Sequence, residues 1–185
     1  MPIREGAIEC AKKIKCVILD VDGVLTDGGV YVAPDGSELY KPFFARDGLV
    51  ISLAPRAALM TVIITGRSSA IVEHRAKELH IDLVYQGCRN KCTAYADIKA
   101  KTGLTDEEIA YIGDDIIDLP VMHMVGLPCA VGDAVPEVKD AAQIIANERG
   151  GHGAVREIYE IILKTQGRWD EILTAFQTNV DEVAQ

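Results

Sequence analysis

No apolar stretch in the 185 residues approaches the ~18 needed to span a bilayer, so the sequence predicts no membrane-crossing helix. The opening MPIREGAIECAKKIK lacks the long apolar centre of a secretory signal. The expectation is therefore a soluble, cytoplasmic protein. Positive charge is also scarce, with 19 basic residues against 28 acidic and a formal net charge of −9. With no basic block and no aromatic-rich basic patch to offset it, that balance argues against nucleic-acid binding. Cysteines are few, odd in number and scattered: Cys10, Cys16, Cys88, Cys92 and Cys129. Cys88 and Cys92 are four apart, but no second pair and no nearby histidine completes a zinc set. They read as reduced thiols in or near a core. His74, His80, His123 and His152 share no metal spacing and read as surface or capping residues. There is no internal repeat, no low-complexity stretch and no interdomain linker.

What is present is a chain that is 49% hydrophobic and 25% charged, of a length suited to one domain with a proper core, residues 1–185. Apolar runs bounded by turn signals alternate with helical patterns, which predicts an α/β fold with a doubly wound, mostly parallel sheet. The runs are Cys16 to Leu19, Thr61 to Thr65, Leu83 to Tyr85, Ile109 to Gly113, Pro128 to Val131 and Gln143 to Ala146. The first is continuous rather than alternating, as suits a strand covered on both faces. Helices are expected over Leu49 to Leu59, Ser69 to His80, Lys91 to Thr102, Ile116 to Met124 and Ala154 to Thr165. Pro55 should kink or end the first of these, and Thr105 with Glu108 has capping-box spacing. One segment breaks the rhythm. Residues 28 to 44 read as an inserted β-hairpin, Val30 to Val32 and Glu38 to Tyr40, around Pro34-Asp35-Gly36-Ser37. The tail from about 168 to 185 is weakly patterned, and Trp169 is expected to pack it.

Chemistry gathers where parallel strands end at their carboxyl edge. The first run ends in Asp20-Val21-Asp22-Gly23, the second in Thr65-Gly66-Arg67, and the fourth in Gly113-Asp114-Asp115 with Asp118 a turn later. A lone Asp-Gly is ordinarily only a turn; three such strand ends together are more than that. Asp20, Asp22, Asp114, Asp115 and Asp118 would crowd negative charge into a small volume, which requires a cation. A set of oxygen ligands without Cys or His calls for a hard ion, and Mg²⁺ suits a site shared with phosphate. Thr65, Gly66 and the helix N-terminus after them form a phosphate cradle, and Lys91 can bring positive charge to the same group. Together these residues point to phosphoryl transfer.

These four pieces resemble the four motifs of the haloacid dehalogenase superfamily, in order and on the expected elements. The resemblance implies that Asp20 attacks phosphorus to form an aspartyl-phosphate, and that Asp22 protonates the leaving oxygen and then activates water. It implies a Mg²⁺ held by Asp20, the backbone carbonyl of Asp22 and Asp114, with Asp115 and Asp118 supporting, and a phosphoryl group bound by Thr65 and Lys91. The first gap between motifs holds only a hairpin and a helix, and the second only a helix and a strand, so no cap domain fits. An open site favours hydrolysis over transfer to a second sugar.

A finer resemblance covers nearly the whole chain. DVDGVLTDGGVY, the RDG at Arg46 to Gly48, IITGR, the YQGCRNK ending at Lys91, YIGDDIIDLPVM and RGGHGAVRE are similar to the 3-deoxy-D-manno-octulosonate 8-phosphate phosphatase family. This implies a lipopolysaccharide-precursor phosphatase acting on a small sugar acid phosphate, and a capless homotetramer with hairpins meeting at its centre. Relatives acting on a nine-carbon sugar acid carry glutamate after ITG. Arg67 stands there in this chain, which favours the eight-carbon substrate. Arg67 and Arg75 are candidates to hold the substrate carboxylate; the alternative for each is a solvated helix face. Arg46 and Arg156 carry no assigned role. Two other readings stay open: a phosphatase for the nine-carbon acid or for several small phosphates, and an inactive oligomerisation module.

Overall fold

The computed structural model describes residues 2–178. The last residues of the expected tail, 179–185, lie outside them. Helix α1 (Ala7–Ala11) precedes strand β1 (Cys16–Leu19), and the hairpin β2 (Tyr31–Val32) and β3 (Glu38–Tyr40) follows. Next come α2 (Ala45–Leu53), β4 (Met60–Ile64), α3 (Ala70–Glu78), β5 (Leu83–Tyr85), α4 (Lys91–Thr102) and β6 (Ile109–Gly113). The chain continues through α5 (Leu119–Met122), β7 (Leu127–Ala130), α6 (Pro136–Ala141), β8 (Ile144–Ile145), α7 (Ala154–Thr165) and α8 (Trp169–Thr178).

Six strands form one sheet in the order β5-β4-β1-β6-β7-β8, with every neighbouring pair parallel. An antiparallel bridge from Ile3 to Ile144 adds to the β8 edge. Because β1 leads leftward to β4 and β5 while β6 leads rightward to β7 and β8, the chain direction switches between β1 and β6. Their carboxyl ends therefore open a crevice where a parallel sheet binds ligands. Helices α1, α2, α7 and α8 pack together, as do α4, α5 and α6, giving the two helical layers that a continuous apolar strand needs. All four residues of β1 and all five of β6 are buried accordingly.

Local signals set the boundaries. Helix α2 starts at Ala45, earlier than expected, and Pro55 ends it in a 3₁₀ turn over Ala54–Ala57. The capping box at Thr105 and Glu108 is formed. Helix α7 buries Val155, Ile158, Tyr159, Ile162 and Leu163, the spacing of a single apolar stripe. Two helices escaped the sequence reading, α1 and α6, with five and six residues; neither is long enough to display a helical period. Trp169 is buried, with Arg156 and Lys164 over its ring at 4.8 and 5.5 Å. The five cysteines are all free thiols. Among the described residues no helix is long and apolar enough to cross a membrane. Nothing larger than the hairpin, α2 and its 3₁₀ turn stands between β1 and β4, and only α3 between β4 and β5; no cap domain is present among the described residues.

Candidate active site

Asp20 is the residue after β1, and Asp114 is the residue after β6. The strands are paired through Leu19 and Ile112, and the Asp20 N–H donates to the Ile112 carbonyl at 3.2 Å. Pairing thus brings the two aspartates to the mouth of the crevice from positions far apart in sequence. One carboxylate oxygen from each of Asp20, Asp114 and Asp118 lies within 4.8 Å of the others. Asp118 is fully buried, and its oxygens are engaged. Oδ1 accepts from Lys91 Nζ and Tyr111 Oη at 2.6 Å each, and Oδ2 accepts from the Asp114 N–H at 3.0 Å. It therefore holds the loop and the lysine in place.

Asp114 Oδ1 is buried without a hydrogen-bond partner. Asp20 Oδ1 has Lys91 Nζ at 2.9 Å but no aligned hydrogen bond. Orphaned anionic oxygens of this kind are costly in a low-dielectric crevice unless a cation satisfies them. Two carboxylates with free oxygens, and backbone close by, fit a small hard cation such as Mg²⁺. The close backbone is that of Gly23: a Cβ there would stand 2.0 Å from Asp114 Oδ2, and the residue sits at φ +93. The chain just after Asp22 thus passes directly under Asp114, possible only without a side chain. Gly150 serves the same end from outside, since a Cβ on it would stand 1.7 Å from the Gly23 carbonyl oxygen.

The electrostatics follow from this crowding. Burial first, then the charges of Asp20, Asp118 and Asp115, push the Asp114 carboxyl up to about 8. Burial also raises Asp20, against the opposing pull of Lys91. Burial alone would lower Lys91, but Asp20 and Asp118 overcome it and hold the ammonium above its ordinary range. Lys91 therefore remains a fixed positive charge beside Asp20. It begins α4, whose N-cap Asn90 accepts from the Cys92 N–H at 3.1 Å.

Thr65 follows β4, the strand beside β1. It is buried, its N–H donating to the Tyr85 carbonyl at 2.9 Å and its carbonyl accepting from the Cys88 N–H at 3.0 Å. Gly66 is exposed, and a Cβ there would meet nothing nearer than 3.9 Å, leaving open space before α3. Asp22 is not one of the carboxylate trio. Its Oδ1 pairs with Lys41 Nζ, and its Oδ2 lies 3.9 Å from Nε of the half-exposed Arg67.

Two predicted side chains have partners outside the trio. The Asp115 side chain accepts from the Ile116 N–H at 2.7 Å and caps the following 3₁₀ turn. Arg75 pairs with Glu78 at 2.8 Å on its own helix and lies over the Phe43 ring, beside Gly48; none of these partners belongs to the acidic cluster. His152 is exposed, with its Nδ1 2.9 Å from the Gly150 carbonyl. Arg46 lies over Phe44, and Arg156 pairs with Glu160. The sequence reading missed Lys41, whose side chain is 3% exposed and is shared with Glu38 at 3.2 Å. It also missed Asp47, buried, which accepts from the N–H groups of Arg156 at 2.7 Å and Gly153 at 3.2 Å and so caps α7. Both depend on partners that no local spacing reveals.

Comparison with known proteins agrees with this geometry. Residues 74–158 match the family model of haloacid dehalogenase-like hydrolases. The chain is 44% identical over 170 residues to the Escherichia coli K12 protein named 3-deoxy-D-manno-octulosonate 8-phosphate phosphatase KdsC, covering 92% of this chain and 90% of that one. Among solved structures, the Yersinia pestis 3-deoxy-D-manno-octulosonate 8-phosphate phosphatase matches with TM-score 0.87 and 42% identity, over 90% of this chain and 89% of that one. The Moraxella catarrhalis phosphatase of the same name, solved with magnesium ion, phosphate ion and KDO, matches with TM-score 0.89 and 38% identity over 92% and 98%. Shared topology and identity along almost the full length lead to one assignment: the chain belongs to the 3-deoxy-D-manno-octulosonate 8-phosphate phosphatase family of haloacid dehalogenase-like hydrolases.

Proposed function

We propose that this protein is a Mg²⁺-dependent phosphomonoesterase that hydrolyses 3-deoxy-D-manno-octulosonate 8-phosphate to the free sugar acid and phosphate, in lipopolysaccharide precursor synthesis. The observation that carries the reading is the pair of buried carboxylate oxygens without an aligned hydrogen bond, Asp20 Oδ1 and Asp114 Oδ1, beside the buried Lys91 at the β1–β6 crevice. Asp20 supplies the nucleophilic oxygen. It attacks phosphorus, and the bond to the sugar oxygen breaks as that oxygen takes a proton from Asp22. Asp22 then accepts a proton from water, which attacks phosphorus and restores the Asp20 carboxylate. Lys91, with Thr65 and the backbone of Gly66, holds the phosphoryl oxygens. Asp20, Asp114 and the backbone carbonyl of Asp22 would hold Mg²⁺, which when bound offsets their charge and polarises the phosphoryl group.

Arg67, half-exposed at the rim near Asp22, is the residue we assign to the substrate carboxylate; Arg75 is a weaker candidate, since its contacts lie off the cluster. The reading treats residues 1–185 as one catalytic domain, located in the cytoplasm, whose reducing conditions suit its five free thiols. It also includes a homotetramer. What supports this is the hairpin, whose Val30 and Leu39 are 55% and 59% exposed; a cluster of that kind is better covered than left in water. A phosphate-release screen across sugar phosphates, with the eight- and nine-carbon acids side by side, tests the substrate. The fastest turnover is expected on the eight-carbon acid, and preference for the nine-carbon acid would overturn the reading.

A further inference from the structure

The base of the hairpin carries an ion-pair network centred on a buried lysine that the reaction as described does not use. Lys41, just past β3, is an ammonium with a side chain 3% exposed. Burying such a group is costly unless it is paired. It sits between two carboxylates, Asp22 and Glu38. Glu38 in turn accepts from the Ser69 hydroxyl. Ser69 is the N-cap of α3, accepting from the Val72 N–H at 3.2 Å, and its own N–H donates to Gln86 Oε1 at 2.7 Å. The chain Asp22–Lys41–Glu38–Ser69 therefore joins the loop after β1 to the start of the helix that follows Thr65 and Gly66. Its members come from three segments: the loop after β1, β3 with the residue just past it, and the N-cap of α3.

We propose that Lys41 is a positioning residue for Asp22: their ion pair fixes the carboxylate in the orientation that accepts a proton from the attacking water. This rests on the reading of Asp22 as the group that activates water. In that step the water oxygen bonds to phosphorus, the proton passes to Asp22, and the phosphorus–oxygen bond to Asp20 breaks with its electron pair returning to Asp20. The ion pair with Lys41 orients Asp22 for this half-reaction. Glu38 holds Lys41 from the other side, so the hairpin acts on chemistry through its base.

The consequence is kinetic and separable. With p-nitrophenyl phosphate and Mg²⁺ the leaving group departs without needing a proton, so formation of the phosphoryl-enzyme is insensitive to Asp22 orientation while its hydrolysis is not. Lys41→Met should then lower kcat about ten- to a hundredfold and lower KM in parallel, leaving kcat/KM near the wild-type value. A burst of nitrophenolate should appear as hydrolysis becomes limiting. Glu38→Gln, which retains a partner for Ser69, should shift kcat and KM in the same direction by a smaller factor, and serves if Lys41→Met does not fold. Asp22→Asn measured alongside separates the two ideas. If Asp22→Asn lowers kcat but Lys41→Met and Glu38→Gln do not, the positioning role is refuted while the role of Asp22 stands. If Asp22→Asn leaves kcat unchanged, the reading of Asp22 itself fails. A fall in kcat/KM with unchanged KM in the Lys41 variant would show that the network merely maintains the fold of the site, and would also refute the proposal.

Discussion

Protons and Mg²⁺ should compete for the carboxylates at the β1–β6 crevice, and the structure sets the size of the effect. Burial and neighbouring charge push Asp114 up to about 8, so without a cation only roughly one molecule in ten has it ionised at pH 7. A divalent ion needs the ionised form. Uptake at pH 7 should therefore release about 0.9 proton from this residue, and affinity should rise nearly tenfold per pH unit up to about pH 8 before levelling. Folding stability follows with a definite sign. A carboxyl raised in the folded state keeps its proton between its ordinary range and about 8, where the unfolded chain has lost it. The metal-free protein is thus destabilised as pH rises through that window. The ceiling on that slope is about 1.36 kcal/mol per pH unit, and screening at the partly exposed Asp114 reduces it. The melting-temperature gain from adding Mg²⁺ should accordingly grow from pH 5 to pH 8. Titration calorimetry in buffers of different ionisation enthalpy counts the protons directly. No proton release at pH 7, together with a Mg²⁺-induced gain that is flat with pH, would refute this account of the cluster.

Other outcomes are expected. Arg67→Glu should weaken turnover of the eight-carbon substrate far more than that of a generic phosphate ester, because it sets a repulsion against the substrate carboxylate; steady-state kinetics on both would show it, and equal losses would instead assign Arg67 to phosphate or structure. Asp47→Ala strips the buried acceptor from two N–H groups at the start of α7, and urea unfolding should record a loss of about 1–3 kcal/mol. Charged substitutions at Val30 and Leu39 together should dissociate the proposed tetramer in sedimentation and spare activity on a small ester more than on the sugar acid. An unmodified protein that is already monomeric at micromolar concentration, with full sugar-acid turnover, would contradict that picture.

Much of this was legible in the chain because the decisive signals are local. Cys16 to Leu19 is too continuously apolar for a half-exposed strand and suits one covered on both faces, which places Asp20 at the carboxyl edge. Asn90 and Gly103 bracket α4, so its limits coincide with the expected Lys91 to Thr102 and place Lys91 at the first turn. Signals that depend on distant partners were not legible. Lys41 reads as a solvated lysine beyond a strand until the fold lays it against Asp22, 19 residues earlier. Asp47 belongs to a recognisable RDG motif, yet its work is to cap a helix 109 residues downstream. Arg75 was a candidate for the substrate carboxylate because an acidic chain must place cations locally, but its contacts are Glu78 and Phe43. Asp118 was expected to support the metal site; what the structure shows is that it holds Lys91, Tyr111 and the backbone of Asp114.

The central claim is that Asp20 carries the phosphoryl group of 3-deoxy-D-manno-octulosonate 8-phosphate during turnover. Rapid quench of the enzyme with that substrate and Mg²⁺, followed by borohydride reduction and peptide mass spectrometry, tests it most directly. The account predicts a reduced aspartyl-phosphate at Asp20 during turnover, and neither modification nor phosphate release in Asp20→Asn. Rapid phosphate release from the wild-type protein with no modification at position 20, or sustained release from Asp20→Asn, would contradict it.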